Sequence, residues 1–211
     1  MKRSTAIIIG LVVLAILWWV FPPLHIRSLN KIRAAEASQQ FNVTNFVADF
    51  WRDQLLPATA HATDATKLVA AIAASPQQAH KQFGRSVGIS STYYFFLRGS
   101  GRVVGVSADS IDLSLKDAGD VVDISVPLGP VFGDAVRDGT GLLSPSDYPN
   151  AQDFNGISAT LDHRVETQVL PELQSFAKLG ARVQFAGCAE VDDESQDLKP
   201  LKLVPIFVKA E

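Results

Sequence analysis

The sequence predicts an α+β fold carried behind a membrane-anchoring amino terminus, on three observations. Residues Ala6 to Phe21 are apolar throughout and are preceded by Lys2 and Arg3. From about residue 43 to Gly84 apolar side chains recur every three or four positions, the helical period. Beyond Gly84 the period falls to two, apart from one long helical stretch before the last two strands. The 211 residues are 47% hydrophobic and 19% charged, with 14 glycines and 11 prolines, a balance that excludes collagen and wholesale disorder. Without Lys2 and Arg3 the remainder carries 17 basic against 22 acidic residues. A net charge of that sign cannot displace the counterions of a nucleic acid, so a nucleic-acid partner is not expected.

Residues 1–27 are expected to be an uncleaved signal anchor, a single transmembrane helix. The apolar run is short for a span, but Pro22 to Ile26 extend it into the interface, where Trp18, Trp19 and Phe21 favour the headgroup level. A cleaved signal peptide needs small residues just beyond its core, and Ala35-Glu36-Ala37 lies too far downstream. A lipoprotein needs a cysteine there, and the one cysteine is Cys188, expected to be a small buried apolar residue. Lys2 and Arg3 face Arg27, Lys31 and Arg33 across the run, so the positive-inside count is nearly a tie.

Residues 28–84 form a second segment, helices expected to pack as a collar. Val43, Phe46, Val47, Phe50 and Trp51 mark a helix that Pro57 should end. Asp64 is placed to cap a second, and Ser75-Pro76-Gln77-Gln78 reads as Ser at N-cap, Pro at N1 and Gln at N3 of a third, with Gly84 at its exit. Residues 85–211 follow as strands. Thr92–Val106 is one long strand whose Gly99 and Gly101 signal a bend or bulge, Ile111–Leu115 a second and Val122–Leu128 a third. Phe154, Ile157, Leu161, Val165, Val169, Leu173 and Phe176 then define a helix over 153–179, kinked at Pro171 and stopped by Gly180. Arg182–Val191 and Leu201–Val208 are the last strands, joined by the acidic Asp192–Asp197 loop. Three strands, a helix and two strands (β-β-β-α-β-β), the first strand long and glycine-bent, is the layout of an OB-fold-like five-stranded barrel.

The densest candidate site is Gly129-Pro130-Val131-Phe132-Gly133-Asp134-Ala135-Val136-Arg137-Asp138. Gly129 and Pro130 turn the chain at the end of the third strand, and Arg137 offers a planar fork of donors to a carboxylate or phosphate. The expected role is a structural ion pair fixing the loop, with Asp134 or a residue of the Asn150–Asp153 loop as Arg137's partner and Asp138 turned to backbone amides. Binding of a ligand is the competing role. No catalytic constellation emerges. Ser158 and His163 stand five apart on one helix and diverge, and no G-x-S-x-G elbow occurs. His25, His61, His80 and His163 are scattered, and Asp192, Asp193, Glu194 and Asp197 lack the spacing of a calcium loop, so no metal site or cofactor is expected. Tyr93, Tyr94, Phe95 and Phe96 read as barrel core in preference to a stacking platform.

Through Leu97-Arg98-Gly99-Ser100-Gly101-Arg102-Val103, Gly129-Pro130, Gly133, Ala135, Arg137-Asp138, Phe154, Ile157-Ser158, Leu161, Gly180, Val183 and Phe185-Ala186-Gly187, the chain resembles a bacterial family of predicted periplasmic lipoproteins of unknown function. The likeness spans about residues 40–208, with the Gly-Pro to Arg-Asp stretch its most specific part. The chain departs from the family's usual residues at Asp134 (Thr), Asn150-Ala151 (Asn-Gln) and Asp162 (Asn), and lacks the lipidated cysteine of many members. The resemblance implies an envelope protein with its domain outside the cytoplasmic membrane and no known activity; with the anchor expected above, that makes a single-pass protein of the bacterial cytoplasmic (inner) membrane with its carboxyl-terminal domain in the periplasm. Members are often encoded beside sugar-type ABC transporter components. From the anchor, the barrel-like strand order and the lack of a catalytic constellation, the function expected is a non-enzymatic accessory or binding module for ABC-type sugar uptake, whose partners are the membrane, transporter components or a small solute. An envelope structural or assembly factor, or an enzyme of unrecognised type, is the alternative.

Overall fold

The computed structural model describes residues 41–148 and 150–211, of which Asn42–Glu211 form one compact unit. The expected anchor, residues 1–27, and the first part of the 28–84 segment lie outside the described residues. Among the described residues no helix is long and apolar enough to cross a membrane.

The first helix, α1 (Val43–Phe50), is capped by Asn42, whose side chain accepts from the Asn45 amide at 2.9 Å. Pro57 does not end it. The helix widens into a π-turn over Trp51–Leu55, where the Leu56 amide reaches back to the Trp51 carbonyl, and continues as α2 (Leu56–Ala58). Proline lacks an N–H and crowds the carbonyl four residues earlier, and a wider turn moves that carbonyl away. After the 3-10 turn Thr59–His61 and the short β1 (Thr63–Asp64), α3 (Ala65–Ala74) is capped by Asp64 accepting from Lys67 and α4 (Pro76–Phe83) by Ser75 accepting from Gln78.

The strands are β2 (Gly84–Ser86), β3 (Tyr93–Val106), β4 (Ser110–Ser114), β5 (Ile124–Pro127), β6 (Arg182–Val191), β7 (Leu201–Lys202) and β8 (Val204–Ala210). Together with β1 they make one eight-stranded sheet, not the five strands expected. Two of the additions, β1 and β2, pair with the first half of β3 and stitch the helices to it. They are too short to show alternation in a sequence. The third arises because the final strand is split at Leu203.

β3 is antiparallel to β6 from Tyr93↔Val191 to Arg102↔Arg182, and its far end also pairs β4, with a bulge between Val103 and Gly105. β5 continues from β4. β7 runs parallel to β5, and beyond Leu203 β8 runs antiparallel to β6. The sheet thus curls until both of its edges bond to one continuous stretch of chain. Gly99 lets the collar approach it, because a Cβ there would stand 2.9 Å from the Cβ of Ala65 at the start of α3. Tyr93, Tyr94 and Phe95 are buried, as expected of core.

Between β5 and β6 come α5 (Ala135–Gly139), a 3-10 turn (Pro145–Asp147), and a long helix in three parts: α6 (Ala151–Arg164), a π-turn (Val165–Val169) and α7 (Leu170–Phe176). The π-turn again precedes a proline, here Pro171, by the same mechanism as at Pro57. The helix ends at Phe176, three residues before the expected limit, and Gly180 with φ +83° turns the chain into β6. Phe154, Ile157, Leu161, Val165, Val169 and Leu173 are all buried, and the helix packs on α1 and β8. The Asp192–Asp197 loop is a hairpin connection containing the short helix α8 (Glu194–Asp197), capped by Asp193.

Candidate functional site

The loop after β5 places the site. Gly133 sits at φ +114°, a conformation open to glycine, and a Cβ there would lie 2.9 Å from the Glu190 carboxylate on β6. The Val131 amide donates to Glu166 on the long helix at 2.6 Å. The loop is thus held between an acid of the helix and an acid of the sheet, and it delivers Asp134 to the start of α5. All five residues of α5 are buried.

Arg137 is only 6% exposed and Asp138 only 4%. The guanidinium forks onto its sequence neighbour, Nε to Asp138 Oδ1 at 2.7 Å and Nη2 to Asp138 Oδ2 at 2.8 Å. This corrects the expectation that Asp138 would turn to backbone amides. The short helix leaves both side chains on the same buried side, where a charge left alone would cost more than a strained pairing. Nη1 lies 2.9 Å from Asp134, the expected partner, and donates to Asn155 Oδ1 at 3.3 Å, beyond the expected 150–153 loop. The ring of Phe154 covers the guanidinium carbon at 4.0 Å. Burial pulls the Arg137 pKa down, but Asp138 and then Asp134 outweigh it, and the net shift is upward. Asp134 does not cap α5. It accepts from Ser158 Oγ at 2.6 Å instead.

Gly129 and Pro130 stand apart from this network. They line a second pocket of about 360 Å³ that also touches Glu190, Lys202 and Pro205. The first pocket, about 480 Å³, lies beside the Arg137 network between Val131–Asp134 and the face of the long helix carrying Asn155, Ser158 and Asp162 on α6 and Glu166 on the π-turn. These helix residues fall at spacings of three and four, so they form one stripe beside the buried apolar face. Asp162 was singled out in the sequence as a departure from the family's usual asparagine, and Glu166 and Glu190 not at all. The stripe of polar residues next to Ile157 and Leu161 was a readable signal for Asp162 and Glu166. Glu190, on a distant strand, left none.

Burial pushes the Asp162 carboxyl up to about 7, helped by Asp134, Glu166 and Glu190 and opposed by Arg137. Glu190 is raised too, chiefly by burial, with the Asp134 backbone amide working the other way. Ser158 donates to an aspartate and not to a histidine, so it is not set up as a nucleophile. Among the described residues no group of three or more acids, histidines or cysteines is placed to hold a metal ion.

An OB-fold protein from Thermotoga maritima, known from its crystal structure, is similar in fold at a TM-score of 0.71 and 23% identity, over 81% of this chain and 99% of that one. The shared fold agrees with the curled sheet and its strand order. No curated protein matches the chain. The match that extends over most of the sequence, residues 11–209, is to the family described as predicted periplasmic lipoprotein (DUF2291), and the chain belongs to that family.

Proposed function

We propose that the protein is a non-enzymatic solute-binding module of the periplasm, tethered to the cytoplasmic membrane by residues 1–27 and accessory to ABC-type solute uptake, sugars included. The observation that carries this reading is the 480 Å³ pocket with Asn155, Ser158, Asp162 and Glu166 converging on it beside the Arg137 network. Concave sites with a few convergent polar groups are where small molecules bind. A protein-docking surface calls for a broad apolar patch. The large exposed apolar residues here, among them Ile89, Phe132, Leu179 and Phe207, instead stand on separate segments of the chain. Family membership supports the periplasmic setting.

A thermal-shift screen of the full chain in detergent micelles, run against small solutes, tests the binding. A ligand at a hundred times its Kd stabilises by about 2.7 kcal/mol, a readily measured rise. A flat response across charged and neutral solutes alike would sink the binding role. Capture of the tagged chain from native membranes tests the accessory role, which fails if transporter components do not accompany it.

A further inference from the structure

The 480 Å³ pocket contains a buried carboxylate with nothing to answer it. Asp162 is 8% exposed and lines the pocket, yet its side chain makes no hydrogen bond or ion pair among the described residues. Its oxygens are not among the buried polar atoms sealed without a partner, so the little surface they retain opens into the pocket. Of the other polar groups lining the pocket, only the His163 ring and the Asn155 amide nitrogen have no hydrogen-bond partner among the described residues. Asp134 is held by Arg137 and Ser158, and Glu166 by the Val131 amide. The donors of Arg137 are committed to Asp138, Asp134 and Asn155. With Asp138 matching the charge of Arg137, Asp134 and Glu166 leave the pocket acidic even while Asp162 keeps its proton. Phe132, 83% exposed on the loop, supplies an aromatic face to the same pocket.

We propose that this pocket takes a small organic cation, an ammonium-bearing solute that sets its charge against Asp162 and its carbon frame against Phe132. This rests on the solute-binding reading above and names the class of solute. A neutral polyol could hydrogen-bond to Asp162, but it brings no charge to answer the acids around it. A bare metal ion finds no ligand set among the described residues and has no use for the aromatic wall. An ammonium group meets both features, since it pairs with the carboxylate and is drawn to the ring face. Without ligand, burial and then the surrounding acids favour a proton on Asp162 near neutral pH, and the cation displaces it. The groups that bear on that proton are Asp134 from the loop, Glu166 from the same helix, Glu190 from β6 and Arg137 from α5, with His163 also lining the pocket.

Calorimetric titration of the full chain in detergent micelles tests the proposal, with ethanolamine and choline as cationic probes and ethylene glycol and glucose as neutral ones. At pH 8 at least one cation is expected to bind tenfold or more tightly than either neutral probe. Its affinity should fall about tenfold per pH unit as the pH drops below about 7, the behaviour of a site that must lose one proton. Asp162→Asn should abolish that slope and cost at least tenfold in affinity, whereas His163→Gln should keep the slope. The slope in the unaltered protein stands as a test even if a variant fails to fold. Glucose or ethylene glycol binding as well as the cations overturns the cation assignment and leaves the solute-binding role intact. A slope lost in His163→Gln but kept in Asp162→Asn also overturns it. Binding of neither class overturns both.

Discussion

Arg137 concentrates the site's energetics in one side chain. Its fork on Asp138, its contact with Asp134 and its cover by Phe154 satisfy a charge that is almost wholly out of water. Removing the guanidinium leaves Asp138 buried without a counter-charge. Arg137→Ala is therefore expected to lower the melting temperature with a loss of about 3–5 kcal/mol. Arg137→Lys should recover only part of it, because an ammonium cannot reproduce the two parallel bonds. Unchanged melting in Arg137→Ala, together with lost function, would assign this residue to ligand binding instead. Asp162 behaves oppositely. Its carboxyl holds its proton up to about 7 in the fold against 3.8 ordinarily, so the folded state binds that proton more tightly than the unfolded chain. The stability this provides is complete below about pH 4 and is lost as the pH rises through about 7. Asp162→Asn should therefore match the parent at pH 4 and exceed it by roughly 2–4 kcal/mol at pH 8, read from denaturant midpoints at the two values. A difference independent of pH would contradict the assignment.

Among the elements, the contact between the collar and the sheet depends on Gly99. A methyl group there would meet the Ala65 Cβ at 2.9 Å and the Phe185 ring at 3.1 Å. Ala65 has no rotamer with which to yield and is fully buried. Gly99→Ala should cost about 1–3 kcal/mol by overpacking, measured by chemical denaturation, with the helical signal of the native state retained. A neutral substitution would mean that α3 can slide on β3. Most elements were legible because each carries its own local pattern: the caps at Asp64 and Ser75, the alternation of β4 and β5, the apolar stripe of α6. What was not legible depended on distance. The pairing of Thr63–Asp64 with β3 is a two-residue contact with no period to read. Pro57 looked like a stop and Pro171 like a kink because a π-turn, which accommodates a proline, has no signature of its own in the sequence. Of the candidate site, Asp134, Arg137 and Asp138 were found because they sit within five residues of one another. Glu190 reaches the same place only through the curl of the sheet.

For the molecule as a whole, the proposed tether has to hold the folded unit on one side of the membrane. The charges flanking the apolar run are too evenly divided to orient it, since Lys2 and Arg3 face Arg27, Lys31 and Arg33. The family is described as periplasmic, which supplies the missing direction. The folded unit also presents a usable reporter site. Glu211 is exposed just past β8, tied by surface contacts to Ser100, Arg182 and Gln184, so a fusion there need not disturb the sheet. Alkaline phosphatase joined at Glu211 is expected to be active in intact cells, because that enzyme needs an oxidising compartment for its disulfides. The chain itself is indifferent to that compartment, as its one cysteine, Cys188, is free and buried in β6. The proposed tether adds a second requirement: the fusion should stay with the membrane fraction after high-salt washing, since an apolar segment buried in lipid is not released by screening charge. Phosphatase activity in the soluble periplasmic fraction would show that residues 1–27 do not hold the protein. An inactive phosphatase, paired with a fluorescent cytoplasmic fusion at the same position, would reverse the orientation and remove the periplasmic solute-binding role with it.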